Sequence, residues 1–351
     1  MAMNPSFWKG RSVFVTGHTG FKGGWLSLWL SQMGAKVYGY SLRPQTTPNF
    51  FSVTHLEAWI ESSTIGDIRD LDRVSAAMRA AEPSIVIHMA AQPLVKESYQ
   101  TPVETFATNF MGTVNVLEAA RNTPSIKAIV NVTTDKCYEI RQPSRPFCES
   151  DRLGGYDPYS SSKACAELAS AAYRESFLNA SGKQLATARA GNVIGGGDWS
   201  PDRLLPDFLK ALDRGESLQI RSPQAIRPWQ HVLDPLCGYL TLAEYLLNQG
   251  KNFAEAWNFG PEEVDSKPVF WIIDHLCQKL PDALWELDMA CHPQETQVLK
   301  LDSLKAKKKL NWKPRWPLET ALDQTVAWHL AWRENQSMAD FSVKQIASYL
   351  E

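Results

Sequence analysis

The 351-residue chain carries no net charge to speak of, its formal value being -2, so no electrostatic pull toward nucleic acid or an anionic membrane surface is expected. No apolar run approaches membrane-spanning length, and Met1 to Lys9 lacks the apolar segment of a secretion signal, so a cytoplasmic location is expected. The 6 cysteines (Cys137, Cys148, Cys165, Cys237, Cys277, Cys291) form no Cys-x-x-Cys and have no histidine cluster beside them. That pattern reads as reduced thiols and indicates neither a bound metal nor a disulfide framework. Internal repeats and low-complexity segments are missing too.

What is present is ordinary in bulk and informative in order. Hydrophobic residues make up 44% and charged residues 21%, as in a soluble globular protein. The length is too great for one compact core, so two lobes are expected. Of 13 Trp, several fall in the C-terminal third, where a second core is needed.

Ser12 to Thr16 is strand-like and runs into Gly17-His18-Thr19-Gly20-Phe21-Lys22-Gly23. A helical apolar pattern follows, with Gly34 as its stop, and Lys36 to Ser41 is a second strand. Strand, glycine turn, helix and strand in so short a span is the setting of a dinucleotide-binding turn. Its glycines let the backbone approach a pyrophosphate at the helix N-terminus. An acid at the end of the second strand would select NAD, but Ser41-Leu42-Arg43 holds none, and Arg43 tolerates a 2′-phosphate. NAD and NADP both remain open on these residues.

Thr64 to Asp70 brings Asp67 to the end of a third strand, where it serves the adenine side or caps a helix; Asp70 is the better cap for a helix over Leu71 to Ala81. Ile85 to Met89 is an unbroken apolar strand ending in Ala90-Ala91-Gln92, small enough for close approach of a cofactor. His88, in line with that strand, reads as a packed core histidine rather than a base. A helix over Pro102 to Arg121 leads to the strand Ala128 to Thr133, which ends in Thr134-Asp135-Lys136. Asp157 and Pro158 then suit the N-cap and first position of a helix carrying Tyr159 and Lys163 on one face. Another strand over Gln184 to Ala190 completes the alternation.

The fold expected is α/β, a doubly wound parallel Rossmann-type sheet with a smaller mixed α/β C-terminal lobe. Residues 1–190 are expected to form the dinucleotide-binding domain, with 228–260 returning to it. Residues 191–227 and 261–351 are expected to form the substrate-binding lobe. The run Lys305 to Lys309 reads as the solvated face of a helix beginning near Asp302.

Taken together, Thr16-Gly17-x-x-Gly20-x-x-Gly23, Asp67, His88-Met89-Ala90-Ala91, Asn109-x-x-Gly112-Thr113, Tyr159-x-x-x-Lys163 and Arg227-x-Trp229-x-x-Val232-x-Asp234 resemble the extended short-chain dehydrogenase/reductases acting on nucleotide sugars. The resemblance covers nearly the whole chain in order. Thr133 to Tyr138 and Gly195 to Trp199 are similar to that family's 4,6-dehydratases rather than its epimerases, which carry no acid/base pair at Asp135-Lys136. Lys136 departs from the Asp-Glu pair of the dTDP-glucose relatives.

The resemblance implies a CDP-linked glucose as substrate, NAD as cofactor and a homodimer or homotetramer. It implies cofactor contacts from Gly17, Thr19, Gly20, Phe21, Lys22, Gly23, Arg43, Asp67, Ile68, Ala90, Ala91, Tyr159 and Lys163. Catalysis would rest on Thr134, Asp135, Lys136, Tyr159 and Lys163. Arg227, Arg203 and Asn192 are candidates for the substrate's pyrophosphate and hydroxyls, while Arg189 is a candidate to tie strands together. Lys136 has two readings: a base at C5 of the sugar, which requires it to be neutral, or an ion-pair partner of a carboxylate such as Glu149. Because adjacent strand residues face opposite ways, both Asp135 and Lys136 reach one substrate only if the chain bends there.

Overall fold

A computed structural model describes residues 3–139, 145–288 and 298–351. Cys291, among the thiols considered above, lies outside them. The centre is a seven-stranded, wholly parallel sheet. Its first six strands are Ser12–Thr16 (β1), Lys36–Ser41 (β2), Ser62–Ile65 (β3), Ile85–His88 (β4), Ala128–Val132 (β5) and Gln184–Ala190 (β6). In space they run β6-β5-β4-β1-β2-β3, and Ala256–Phe259 pairs outside β6. The order reverses between β1 and β4, opening a crevice at the strands' C-terminal ends, where doubly wound sheets bind ligands. Both β4 and β5 are buried at every position, as their continuous apolar sequences require of strands covered on two faces.

The helix Phe21–Gln32 lays Trp25, Leu26, Leu28, Trp29 and Leu30 into one large core. Trp257 from the sheet edge, and Trp312, Trp328 and Tyr349 from the C-terminal segments, join the same cluster. A second cluster gathers Leu205, Phe208 and Leu209 with Leu218, Trp229, Ile272, Ile273 and Leu322. Small two-stranded sheets surround it, pairing Ser217–Ile220 with Leu284–Leu287 and Ile226–Pro228 with Ser266–Pro268.

Two local departures from the sequence reading have physical causes. The helix starting at Pro102 reaches Arg121, but residues Ala107–Met111 form one π-helical turn. That turn carries the buried Asn109, whose side-chain amide donates to Gln92 O at 3.0 Å and Ser162 Oγ at 2.9 Å. The lysine run is helical over Leu304–Lys309 but is not merely solvated. Lys305 and Lys309 pair with Glu255 at 2.8 and 3.1 Å, and Lys307 with Glu262 at 2.7 Å, so the run fastens this helix to the edge of the sheet. Among the described residues, no helix is long and apolar enough to cross a membrane.

Candidate active site

The glycine turn leaves β1 through Gly17, whose φ of +81° suits a residue without a Cβ. A Cβ at Gly17 would also stand 2.8 Å from Ala90 N. A Cβ at Gly23 would stand 2.0 Å from Gly17 O, so the first turn of the helix presses directly on the loop. The helix is capped by Gly20 with no side-chain hydrogen bond, which leaves its first N–H groups facing the crevice. Thr19 fastens the turn to the end of β2, its hydroxyl lying 2.9 Å from Ser41 Oγ and donating to Leu42 O at 2.8 Å. This is a cradle into which a pyrophosphate fits and side chains do not.

Around it, Arg43 is exposed, and Ala90 and Ala91 are half-buried at the end of β4. Asp67 lies two residues past β3, where Arg69 donates to its carboxylate from its backbone N at 2.8 Å and from Nε and Nη2 at 2.9 and 2.7 Å. Those bonds hold the Asp67 carboxyl below its ordinary range. Asp70, not Asp67, caps the following helix, accepting from Arg73 N at 3.0 Å. Ile68 is buried against Gly112. His88 is a core histidine: its ring nitrogens lie 2.6 Å from Thr16 Oγ1 and 3.1 Å from Thr113 Oγ1, and burial lowers its pKa to about 3.

Beyond Val132 the chain bends into a single 3-10 turn, Asp135–Cys137, capped by the Thr134 hydroxyl. The bend supplies the change of direction that Asp135 and Lys136 need in order to share a face of the crevice. Opposite stands the helix Pro158–Tyr173, with Asp157 accepting from Ser160 N at 2.9 Å and Pro158 in its first turn. It buries Tyr159 and Lys163, which are 8% and 6% exposed. Lys163 Nζ donates to Val132 O at 3.3 Å, binding the helix to the end of β5.

Burial dominates the electrostatics. It raises the Tyr159 phenol to about 12 against a smaller lowering by the Thr134 hydrogen bond, and lowers Lys163 to about 8. Asp135, 2% exposed, is pushed up by desolvation, countered in part by the positive charges of Lys136 and Arg227 and by the Thr134 hydroxyl. Its Oδ2 has no hydrogen-bond partner among the described residues. Gly191 leaves the space before that oxygen open, since a Cβ there would come within 3.0 Å of it. A shift in that direction favours the protonated form, the one that can give a proton to a leaving oxygen.

Lys136 is half-buried at the same turn. The Glu149 carboxylate, its suggested ion-pair partner, accepts from Asn258 N at 2.9 Å. Arg203 is bound to Asp198 at 2.9 Å, and its charge bears on both Tyr159 and Lys22, which brings that loop to the crevice. Arg227 is buried on the strand Ile226–Pro228, and Asn192 lies just past β6, its carbonyl accepting from Gln230 N at 3.0 Å. The structure thus brings Thr134, Asp135, Tyr159, Lys163, Arg203 and Arg227 together around one crevice.

Three further residues, none of them among the site residues expected from the sequence, shape the site. Glu167, one turn past Lys163, accepts from the Thr133 hydroxyl at 2.5 Å, the Thr187 hydroxyl at 2.7 Å, and Arg189 Nε and Nη2 at 3.0 and 2.8 Å. Arg189 does tie elements together, bonding Tyr138 Oη at 2.9 Å as well. Asp198 holds Arg203. Tyr239 accepts from Lys22 Nζ at 3.0 Å, and burial, with help from the Arg203 and Lys163 charges, lowers Lys22 to about 7. Spacing alone offered a signal only for Glu167, which shares a helix face with Lys163.

Comparison with known proteins decides the family. A profile described as GDP-mannose 4,6 dehydratase matches residues 14–325. The chain belongs to that family. It is 49% identical to the CDP-glucose 4,6-dehydratase of Salmonella typhimurium, over 99% of this chain and 98% of that one. It is 25% identical to the dTDP-glucose 4,6-dehydratase of Xanthomonas campestris, over 90% and 92%. Among solved structures, dTDP-glucose 4,6-dehydratase from Bacillus anthracis in complex with NAD superimposes with a TM-score of 0.77 at 22% identity, covering 94% of this chain and 100% of that one. UDP-glucose 4-epimerase from Stenotrophomonas maltophila with bound NAD gives 0.79 at 20% identity, covering 92% and 99%. These structures share the Rossmann-type α/β fold expected from the sequence.

Proposed function

We propose that the protein is an NAD-dependent nucleotide-sugar 4,6-dehydratase, a lyase converting CDP-glucose to CDP-4-dehydro-6-deoxyglucose for deoxysugar synthesis. The observation that carries this reading is the buried Asp135 on its capped turn, facing the Tyr159–Lys163 helix. A simple oxidoreductase or a 4-epimerase needs no second acid and base, whereas loss of water across C5–C6 needs both. The near-full-length identity with the Salmonella typhimurium protein supports the CDP sugar as substrate.

In this reading the glycine cradle of Gly17, Thr19, Gly20, Phe21, Lys22 and Gly23 holds the NAD pyrophosphate. Arg43, Asp67, Ile68, Ala90 and Ala91 line the adenosine and ribose side. Bound NAD would accept the hydride from C4 and give it back at C6. NAD is the proposed cofactor: a 2′-phosphate would meet the exposed Arg43, while Arg69 is already paired with Asp67.

Tyr159 removes the proton of the C4 hydroxyl. Its ordinary pKa is about 10, so the positive charge of Lys163 is needed to favour the phenolate. Thr134 aligns that hydroxyl. The C4 ketone acidifies the C5 proton, which Lys136 takes, while Asp135 protonates O6 and water departs. Arg227, Arg203 and Asn192 bind the substrate's diphosphate and sugar, an anion the chain's overall charge does nothing to attract. Residues 191–227 and 261–351 supply the substrate lobe, and the location is cytoplasmic.

Compared side by side with dTDP- and UDP-glucose, CDP-glucose should give the fastest turnover, with the 4-keto-6-deoxy product read by its absorbance in alkali. Preference for a different nucleotide would remove the CDP assignment while keeping the dehydratase; formation of the galactose epimer would remove both.

The oligomer is proposed as a homodimer or homotetramer. Val103 and Met111 on one helix, and Leu168 and Phe177 on its neighbour, are 77%, 47%, 59% and 45% exposed, a stripe that pairing of these helices between two copies would cover. Light scattering should show twice or four times the chain mass at micromolar concentration, and a monomer would contradict the proposal.

A further inference from the structure

Asp135, the acid of the proposed elimination, is fixed by hydrogen bonding on one side only. Its Oδ1 accepts from the Thr134 hydroxyl at 3.1 Å. Its Oδ2 is buried and has no hydrogen-bond partner among the described residues. A buried polar atom without a partner is uncommon in a folded protein and calls for a reason. On that side the carboxyl is held by packing alone, so its position depends on what it packs against.

It packs against Gly191. The strands β5 and β6 run parallel with Val132 opposite Ala188, and Thr133 N donates to Ala188 O at 2.9 Å just beyond. That register, carried three residues further, brings Asp135 abreast of Gly191. From the other side comes Pro228, buried at the end of the strand Ile226–Pro228, which also carries Arg227. A Cβ on Gly191 would overlap the Pro228 ring and stand 3.0 Å from Asp135 Oδ2 and 3.1 Å from Pro228 O. Nothing in the backbone calls for glycine, because Gly191 is not among the residues of positive φ. It is glycine for space alone. Nor is the segment free to recede, since the carbonyl of the next residue, Asn192, accepts from Gln230 N at 3.0 Å.

We propose that Gly191 is a positioning residue for the elimination: having no side chain, it lets the Asp135 carboxyl lie against the end of β6, the place from which it protonates O6. A methyl group at 191 pushes that carboxyl away. The three atoms nearest to such a methyl belong to Asp135 and Pro228, not to Tyr159 or Lys163, so the oxidation at C4 is spared. Gly191 therefore acts on one half of the reaction and acts through Asp135.

The inference rests on the dehydratase reading, and its test separates the two. Stopped flow with CDP-glucose and NAD reads the oxidation as absorbance of reduced nicotinamide, and rapid quench reads the 4-keto-6-deoxy product. In Gly191→Ala the oxidation should run at the wild-type rate while product forms slower by roughly a hundredfold, the scale of a positioned proton transfer, so that reduced cofactor accumulates. In an Asp135→Asn background the same substitution should cost nothing further, because the acid it displaces is already gone. Gly191→Ala/Pro228→Ala removes the overlap with the proline ring and keeps the contact with Asp135; measured against Pro228→Ala alone, it should show the same stall. Equal slowing of both half-reactions in Gly191→Ala and in the Pro228→Ala background would overturn the proposal, as that is a general disturbance of the site. Elimination at the wild-type rate, or a further loss in the Asp135→Asn background, would overturn it as well. A wild-type enzyme that forms no 4-keto-6-deoxy sugar would overturn the dehydratase reading itself, and the role of Gly191 with it.

Discussion

Asp135→Asn and Lys136→Met variants, each given CDP-glucose and NAD, will reduce the cofactor and then stop. In the proposed mechanism the two half-reactions use different groups: Tyr159 and Lys163 on the helix for the oxidation, Asp135 and Lys136 on the 3-10 turn for the elimination. Neither substitution changes side-chain size much, and each removes one positioned proton transfer, worth roughly a hundredfold to ten-thousandfold. With water unable to leave, the hydride has no C6 acceptor, so the absorbance of reduced nicotinamide builds up stoichiometrically with enzyme. Tyr159→Phe will show no such absorbance, because the C4 proton is never removed. If Lys136→Met turns over near the wild-type rate, another group takes the C5 proton and Lys136 is an ion-pair partner.

Glu167→Ala will destabilise the whole protein more than any of these. Glu167 and Arg189 have side chains only 3% and 4% exposed, and their 2.8 Å pair joins the helix Pro158–Tyr173 to β6. Burial alone would raise the Glu167 pKa, but Arg189 with the Thr133 and Thr187 hydroxyls overrides it and holds the carboxyl below its ordinary value. Removing Glu167 leaves a guanidinium buried without its anion, a loss of about 3–5 kcal/mol. Denaturant unfolding should show it as a lowered midpoint, and a Glu167→Leu/Arg189→Met double variant should recover most of the loss. A folded-state pKa below the unfolded one means this stabilisation is present above the ordinary Glu range and disappears on acidification. A Glu167→Ala protein of wild-type midpoint would show that the pair contributes nothing net.

Much of the architecture was legible because the signals are local. Strand, glycine turn and helix follow one another between Ser12 and Gln32, and Asp157-Pro158 marks a helix start whose cap bond spans three residues. The bend at Asp135 was legible from side-chain alternation, since a straight strand could not present two neighbouring residues to one ligand. What was not legible depends on residues far apart in sequence. Glu167 is explained by Thr133 just past β5 and by Thr187 and Arg189 on β6. Tyr239 meets Lys22 across 217 positions of sequence. The lysines of 305–309 looked solvated because their acids, Glu255 and Glu262, belong to a distant edge of the sheet. The π turn at Asn109 adds one residue to a helical turn that is otherwise regular in sequence pattern, and its cause is the pull of Gln92 and Ser162 on one amide.

The central claim is that one hydride leaves C4 and returns at C6 of the same sugar with loss of water between. CDP-glucose carrying deuterium at C4, incubated with the protein and NAD, tests this directly. Mass spectrometry and NMR of the product should show a sugar lighter by one water, a ketone at C4 and the deuterium at C6. A CDP-hexose of unchanged mass with deuterium still at C4, the outcome of epimerisation, would contradict the account.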